Sequence, residues 1–355
     1  MRILQVNTAD AGGGAEAIAR RLHDGYREHG HETWLAVGCR RTNAAGVVEI
    51  PNDARRPPWE RFFLRRATAR RRRLPRYALA AIGSPRRALR HLRGEEDFDF
   101  PATRELLALV PAPDVVHAHN LHGGYFDLRE LPALSRHVPT LLTLHDAWLT
   151  TGHCAHSFDC ERWQSGCGQC PYLDTYPAVQ RDATAANWQR KRAIYARSRL
   201  HVAAPSEWLL SRAKNSILAP AIASAQVIPN GVDLEAFRPA SRAEARARLG
   251  IANDATVIAA AAAEGNPFKD IATLRDALAR IIGARRNVVV VAIGGARFDG
   301  VEVRPVIDAM EIADAYRAGD VYLHSARADT FPTAVLEALA CGTPVVATRI
   351  GGIPE

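Results

Sequence analysis

Two carboxylates near the end of the chain, Asp329 and Glu337, follow an apolar segment and are eight positions apart. The apolar segment at 321–323 predicts a strand, and Pro332 opens a helix pattern that ends at Gly342. The polar loop and the first helical turn would present free N–H groups and a positive dipole end, which suit an anion such as a diphosphate. An acid beside such a site repels the anion unless the acid binds hydroxyl groups. Because a sugar nucleotide carries both phosphates and vicinal hydroxyls, this pattern favours a sugar-nucleotide site.

A second loop carries a cation that suits the same ligand. Lys269 comes shortly after a buried strand predicted at 256–263, and its ammonium could neutralise a leaving diphosphate. Beyond the carboxylate segment, residues 344–348 predict another buried strand. The second half of the chain is therefore expected to alternate strands and helices, with chemistry in the loops after the strands.

The start of the chain predicts a similar strand–turn–helix unit. Residues 1–7 predict a strand and residues 15–29 a helix, and Gly13 and Gly14 lie in the glycine-rich turn between them. Such a turn lets the backbone approach a ligand closely, or it serves only as a tight connection. The glycine spacing differs from G-x-G-x-x-G, so it is not the dinucleotide fingerprint.

Histidines follow two further predicted strands in the first half of the chain. His119 and His122 come after a strand that begins near Asp114, and His145 ends a strand at 140–144. Open α/β sheets bind ligands at the carboxyl ends of their strands. Together with His153 a little later, these side chains favour a site over four separate structural histidines.

The segment from Asp329 to Glu337 resembles the carboxylate-x7-Glu signature of the retaining glycosyltransferases of family 4, which have the glycosyltransferase B fold. The resemblance covers nearly all of the chain and is most specific at 227–239 and 321–355. The motif His-Asn-Leu-His-Gly-Gly-Tyr at 119–125 resembles a subgroup that builds bacterial surface polysaccharides of the colanic-acid type.

Two positions differ from the family pattern. The first acid of the signature is usually Glu and is Asp329 here. Glu264 occupies the place of an arginine that, with a lysine matching Lys269, holds the diphosphate in the family.

The resemblance implies an α/β fold of two Rossmann-like doubly wound domains that face a cleft. Residues 1–238 would form the acceptor-side domain and residues 239–355 the nucleotide-sugar-binding domain. Family members continue beyond the last motif matched here, so the second domain is expected to be incomplete.

The resemblance also implies transfer of a sugar, with retention of configuration, from a nucleoside-diphosphate sugar to an acceptor hydroxyl on a lipid-linked or polysaccharide glycan precursor. Lys269 would stabilise the diphosphate, Asp329 would hold donor-sugar hydroxyls, and His145 would contact the reacting sugar. Glu337 would bind the ribose hydroxyls, and no cofactor is required for catalysis. The remaining nucleotide-binding positions are Gly13, Gly14, Asn230, Thr330, Phe331 and Pro332.

Two other functions remain open at this point. One is a sugar-nucleotide epimerase on the same fold, which would consume donor without an acceptor. The other is a non-catalytic sugar-nucleotide-binding protein, suggested by Glu264 and by the point at which the chain stops.

The charge of the chain is concentrated in one segment. The 355 residues carry a net charge of +8, yet residues 55–93 contain fourteen arginines and one acid, or +13, which leaves 8 − 13 = −5 for the rest. Aromatic and aliphatic residues among these arginines favour an interfacial helix on an anionic membrane surface. A solvated helical arm is the close alternative. Nucleic-acid binding ranks last because no motif for it accompanies the charge.

The expected location of the protein also decides the expected state of its cysteines. The chain has no apolar run of about eighteen residues, and its start is too short and polar for a signal peptide, so a cytoplasmic protein peripheral to the inner face of the membrane is expected. In that reducing compartment, Cys154, Cys160, Cys167 and Cys170 could close a tetrahedral structural zinc site, with His153 or His156 as substitutes for a thiol. Reduced cysteines or an oxidation-prone cluster are the alternatives.

Overall fold

The structure is a computed structural model that describes residues 1–68, 73–261, 265–306 and 311–355. The chain divides into two compact units, Met1–Ile228 and Pro229–Glu355. Among the described residues, no helix is both long and apolar enough to cross a membrane.

The first unit is built on a parallel sheet. Its strands within the described residues are β1 (Arg2–Ala9), β2 (Glu32–Cys39), β3 (Val47–Glu49), β4 (Val115–Ala118), β5 (Thr140–Thr143), β6 (Leu200–Ala204) and β7 (Ile222–Val227). They lie in the order β3-β2-β1-β4-β5-β6-β7, and each neighbouring pair is parallel. Because β2 lies on one side of β1 and β4 on the other, the carboxyl ends of β1 and β4 form a switch point, where ligands bind in open α/β sheets.

Helices connect these strands. Those described in this unit are α1 (Gly14–Glu28), α2 (Pro58–Thr68), α3 (Arg73–Gly83), α4 (Pro85–Leu92), α5 (Leu131–His137), α6 (Thr184–Tyr195) and α7 (Glu207–Lys214). The apolar strand residues Leu4, Val116 and Leu142 are fully buried and share one core with Trp188 and Tyr195 of α6. Such continuous apolar strands are typical of a parallel sheet that is covered by its connecting helices.

The second unit repeats this plan on a smaller scale. Its described elements, in chain order, are α8 (Arg242–Arg248), β8 (Thr256–Ala261), α9 (Ile271–Ala284), β9 (Val288–Ile293), β10 (Glu302–Val306), α10 (Ile312–Ala318), β11 (Val321–His324), α11 (Thr333–Ala340) and β12 (Val345–Ala347). The strands are parallel in the order β10-β9-β8-β11-β12. Ser241 caps α8 by accepting a hydrogen bond from the Glu244 amide over 3.3 Å, as serine commonly does at the start of a helix.

The predicted fold class, two Rossmann-like α/β units with parallel sheets, is confirmed. The division of the chain lies ahead of the predicted boundary at 238/239, because Phe237 packs beside Tyr316, with ring centroids 6.1 Å apart. The strand expected at 344–348 forms as β12, but it is not buried: it is the last strand in its sheet order and leaves Val346 61% exposed.

Candidate active site

Lys269 and Asp329 lie in loops that follow the neighbouring strands β8 and β11. An antiparallel bridge joins Lys269 to Ala326, and the Arg327 amide donates to the Phe268 carbonyl over 2.9 Å. β9 lies on one side of β8 and β11 on the other, so the carboxyl ends of β8 and β11 form a switch point. The two loops are thereby held side by side where a ligand is expected.

The Lys269 ammonium lies between a carboxylate and an imidazole. Its Nζ is 3.3 Å from Asp329 Oδ2 and 3.3 Å from His324 Nε2. Burial alone would raise the pKa of Asp329, but the hydrogen bond from His324 and the charge of Lys269 outweigh burial and lower it. Burial lowers the pKa of His324. The Tyr322 hydroxyl is 3.0 Å from His324 Nδ1, so a hydroxyl that donates there leaves Nε2–H directed at Asp329, 3.6 Å away.

The loop between β11 and α11 contains three of the predicted nucleotide-binding residues, Thr330, Phe331 and Pro332. The predicted residue Asn230 fixes this loop, since its Nδ2 donates to the Phe331 carbonyl over 3.2 Å. Pro332 precedes the helix as its N-cap, with φ −70° and ψ 119°, instead of forming the first turn as predicted. The first amide groups of α11, and its positive dipole end, are therefore at the loop beside Asp329.

Gly351 passes close behind the carboxylate loop. Its φ is +56°, and a Cβ added to it would stand 1.8 Å from the Asp329 carbonyl oxygen. Only glycine allows both this backbone conformation and this close approach without movement of the loop.

Glu337 lies on α11 and contacts a second tyrosine. Its Oε2 accepts a hydrogen bond from the Tyr316 hydroxyl over 3.1 Å. The ring of Tyr316 packs edge-on against Tyr322, with centroids 5.2 Å apart. Burial, and then the charges of Glu337 and Asp329, raise the pKa of Tyr322. The two carboxylates of the signature thus flank one aromatic pair.

His145 lies in the first unit, at the end of a row of buried histidines. His145 Nε2 is 3.0 Å from His119 Nδ1, and the Gln5 amide is 2.9 Å from His119 Nε2. Burial lowers the pKa of His145 to about 4, that of His119 well below its ordinary value, and that of His117 to about 3. These imidazoles are neutral at pH 7, so His145 offers hydrogen bonds and no charge.

Gly13 and Gly14 lie where β1 meets α1. Gly13 caps the helix, and its amide donates to Glu16 Oε2 over 2.9 Å. Both glycines are exposed, and a Cβ at Gly14 would contact nothing within 4 Å. The structure places this turn at the carboxyl end of β1, in the unit that also contains His145.

A family model described as Glycosyltransferase Family 4 matches residues 12–236, and a second, described as Glycosyl transferases group 1, matches residues 255–355. The chain belongs to glycosyltransferase family 4. The resemblance seen in the sequence is therefore confirmed across both units.

Relatives of this family member agree with the assignment. The Escherichia coli K12 protein WcaC, whose name attributes to it a glycosyl transferase role in colanic acid biosynthesis, is 28% identical over 98% of this chain and 83% of its own length. D-inositol 3-phosphate glycosyltransferase of Saccharomonospora viridis is 38% identical, but the match spans only 36% of this chain and 35% of the relative. The structure of Anabaena HepE with UDP has a TM-score of 0.61 at 18% identity, covering 99% of this chain and 82% of that chain. The structural likeness shows the shared two-domain glycosyltransferase fold.

Several residues of the candidate site were not found from the sequence. His324, Tyr316 and Tyr322 complete the network around the two carboxylates, and Asp146 and Tyr176 contact His122 in the first unit. His324 ends β11, so the rule that strand ends carry chemistry could have identified it. The tyrosines carry no such signal, because they resemble ordinary core residues in the sequence.

The structure does not support the predicted zinc site. No group of three or more His, Cys, Asp or Glu side chains in the described parts of the chain is arranged to hold a metal ion. Cys154, Cys160, Cys167 and Cys170 are free thiols that line a cavity of about 20 Å³. In the metal-free protein, burial raises the pKa of Cys154 to about 12 and that of Cys167 to about 11, so both thiols are protonated at neutral pH.

Some arginines of the basic segment 55–93 form ion pairs within the first unit. Arg56 is buried and paired with Glu60 over 2.8 Å, and Arg87 pairs with Asp97. These side chains brace α2 and α4 against the rest of the unit. The same helices expose large apolar side chains, namely Trp59, Phe62, Tyr77, Ile82, Leu89 and Leu92. Residues 69–72, and likewise Glu264, lie outside the described residues.

Proposed function

We propose that this family member transfers a sugar from a nucleoside-diphosphate sugar to an acceptor hydroxyl, with retention of configuration at the anomeric carbon. The observation that carries the proposal is the cluster of Lys269, Asp329 and His324 beside the start of α11. A cation, a carboxylate that can bind hydroxyls and a helix N-terminus are the groups that a sugar diphosphate needs. The HepE structure, which contains UDP, supports a nucleotide of this class.

In the proposed reaction the anomeric C–O bond to the diphosphate breaks while the acceptor oxygen bonds to the same face of that carbon. The acceptor proton passes to an oxygen of the leaving phosphate. Negative charge grows on the diphosphate. The Lys269 ammonium would leave Asp329 and pair with the diphosphate instead. The amides of Thr330, Phe331 and Thr333 would add hydrogen bonds, which is electrostatic stabilisation by groups already in place.

The remaining residues receive roles from their chemistry. Asp329, released from Lys269, would accept hydrogen bonds from donor-sugar hydroxyls, and Glu337 from the ribose. His145 is uncharged at neutral pH and would contact the reacting sugar. Asn230 would hold the Phe331 loop, as it does in the structure. Gly13 and Gly14 would let the ligand approach the backbone.

We assign the acceptor to the class of lipid-linked or polysaccharide glycan precursors. The full-length similarity to WcaC supports this class. An anionic membrane surface is the proposed partner of α2–α4, since these helices expose Trp59 and Phe62 beside arginines, with Arg66 4.2 Å over the Phe62 ring. Such a surface would place the enzyme on the inner face of the membrane, where a lipid-linked acceptor lies.

The test is donor-dependent transfer, followed as UDP release from a panel of UDP-hexoses with lipid-linked sugar acceptors. Lys269→Ala should lower the rate ~100-fold or more, because it removes a charged group that acts on the transition state. Glu337→Ala should lower kcat/KM about tenfold or more through lost hydrogen bonds to a charged group. Lys214→Ala is the matched control, since Lys214 is an exposed lysine on α7.

Three outcomes would contradict the proposal. If both site variants stay within about threefold of wild type, these residues do not form the donor site. Donor consumption without an acceptor product would favour an epimerase. UDP-sugar binding without any turnover would favour a non-catalytic binding protein.

A further inference from the structure

His122, Asp146 and Tyr176 form a hydrogen-bonded chain in the first unit. His122 follows β4 and Asp146 follows β5, so the two adjacent strands bring them together. His122 Nε2 is 2.7 Å from Asp146 Oδ2, and His122 Nδ1 is 3.4 Å from the Tyr176 hydroxyl. These hydrogen bonds run from a partly buried carboxylate to a half-exposed tyrosine.

The ionisation of Asp146 sets which atoms donate and which accept in the hydrogen bonds that link Asp146, His122 and Tyr176. Burial would raise the pKa of Asp146, but His122 and the Trp148 amide outweigh burial and lower it to about 2, so it is ionised. An ionised carboxylate only accepts, so in the neutral imidazole of His122 the proton is on Nε2 and Nδ1 is the acceptor. The Tyr176 hydroxyl therefore donates to His122, and its oxygen is left to accept from a further hydroxyl.

The surroundings of the Tyr176 hydroxyl suit a sugar ring. The side chain is 48% exposed, and its aromatic face can pack against the C–H face of a pyranose. Burial and the charges of Asp146 and Glu16 raise the pKa of Tyr176, so its hydroxyl is protonated at neutral pH.

We propose that Tyr176 binds a sugar hydroxyl of the acceptor, with His122 and Asp146 as positioning residues that fix the direction of its hydrogen bond. The inference rests on the proposed transfer function and adds the class of acceptor: a sugar ring whose hydroxyl donates to Tyr176. The site would therefore select an acceptor group that donates a hydrogen bond, in addition to selecting for shape.

The experiment measures binding of methyl hexopyranosides to the full chain, with UDP present, by saturation-transfer NMR. At least one glycoside should bind wild type. Tyr176→Phe keeps the ring, removes the accepting oxygen, and should weaken binding about three- to tenfold. Asp146→Asn should weaken glycoside binding to a similar degree. The amide favours the other imidazole tautomer of His122, which reverses the direction of the hydrogen bond between His122 and Tyr176. Tyr77→Phe, at an exposed tyrosine on α3, is the matched control.

Two further measurements keep the outcomes distinct. Thermal stabilisation by UDP tests the donor site alone, so its loss in wild type would count against the proposed function. With UDP binding intact, the absence of any glycoside signal in wild type, or equal affinities in Tyr176→Phe and wild type, overturns the acceptor site. Unchanged melting of the variants by tryptophan fluorescence shows that the first unit remains folded.

Discussion

His117 lies on β4, where its ring nitrogens contact the Tyr26 hydroxyl at 3.1 Å and the Thr143 hydroxyl at 2.8 Å. Because burial favours the neutral imidazole, its pKa falls from 6.5 to about 3. The unfolded chain takes up a proton below pH 6.5 and the folded chain does not. Stability from this group is therefore complete above pH 6.5 and is lost as the pH falls from 6.5 towards 3.

We expect acidification from pH 7.5 to pH 5 to destabilise the first unit by about 2 kcal/mol through His117 alone. All six tryptophans lie before residue 229, so their fluorescence follows this unit during unfolding. His117→Gln should reduce the pH dependence, whereas His137→Gln, at an exposed position on α5, should leave it as in wild type. A pH profile of His117→Gln that matches wild type would contradict this assignment.

The residues of the proposed donor site show what residue type and spacing can predict. Asp329, Glu337 and Lys269 were predicted because each follows a strand pattern along the chain and carries chemistry that suits a sugar diphosphate. Their partners His324 and Tyr316 were not, since these contacts require β8 and β11 to be neighbours and α10 to lie beside α11. Nothing in the local sequence specifies either arrangement. The four cysteines show the opposite error, because ligand-like spacing does not fix the geometry that a metal requires.

At the scale of elements, the site depends on loops that are held by the strands beside them. The strands predicted from the sequence, which form as β1, β4, β5, β8, β11 and β12, lie within a few residues of their predicted bounds, because parallel strands of this kind are continuous apolar runs. β12 was misjudged as buried for the same reason: its apolar residues do not reveal that it is last in the sheet order. Gly351, just beyond β12, is the point at which this strand end contacts the Asp329 loop.

Gly351→Ala tests that contact. The new Cβ would stand 1.8 Å from the Asp329 carbonyl oxygen, so the loop must shift and carry the carboxylate with it. Gly300→Ala is a matched control, since its φ is +74° and a Cβ there would contact nothing within 4 Å. Both variants should show the left-handed strain of about 1–2 kcal/mol, but only Gly351→Ala should also lose most of the thermal stabilisation by UDP. Equal UDP responses would show that the close approach does not position Asp329.

At the scale of the whole molecule, charge and apolar exposure coincide on α2–α4. The chain outside residues 55–93 is acidic by the arithmetic of its composition, so attraction to an anionic surface must come from this segment. Arg56 and Arg87 are engaged within the protein, whereas Arg66 and Arg86 are exposed. Exposed Phe62 and Leu92 add apolar area that could enter the headgroup region.

We expect the protein to bind vesicles that contain anionic lipid and to be released from them by salt. Arg66→Glu with Arg86→Glu should lower the affinity at least ~30-fold, given about 1 kcal/mol per arginine near the surface. Arg285→Glu with Arg286→Glu makes the same charge change at exposed positions of the second unit and should have little effect.

Phe62→Ser with Leu92→Ser should weaken the binding that persists at high salt, because charge attraction is then screened within a few ångströms. Sedimentation with neutral and anionic vesicles measures all of these. Equal loss in both arginine pairs would trace the binding to net charge and not to this face, and salt-insensitive or absent binding would refute the membrane proposal.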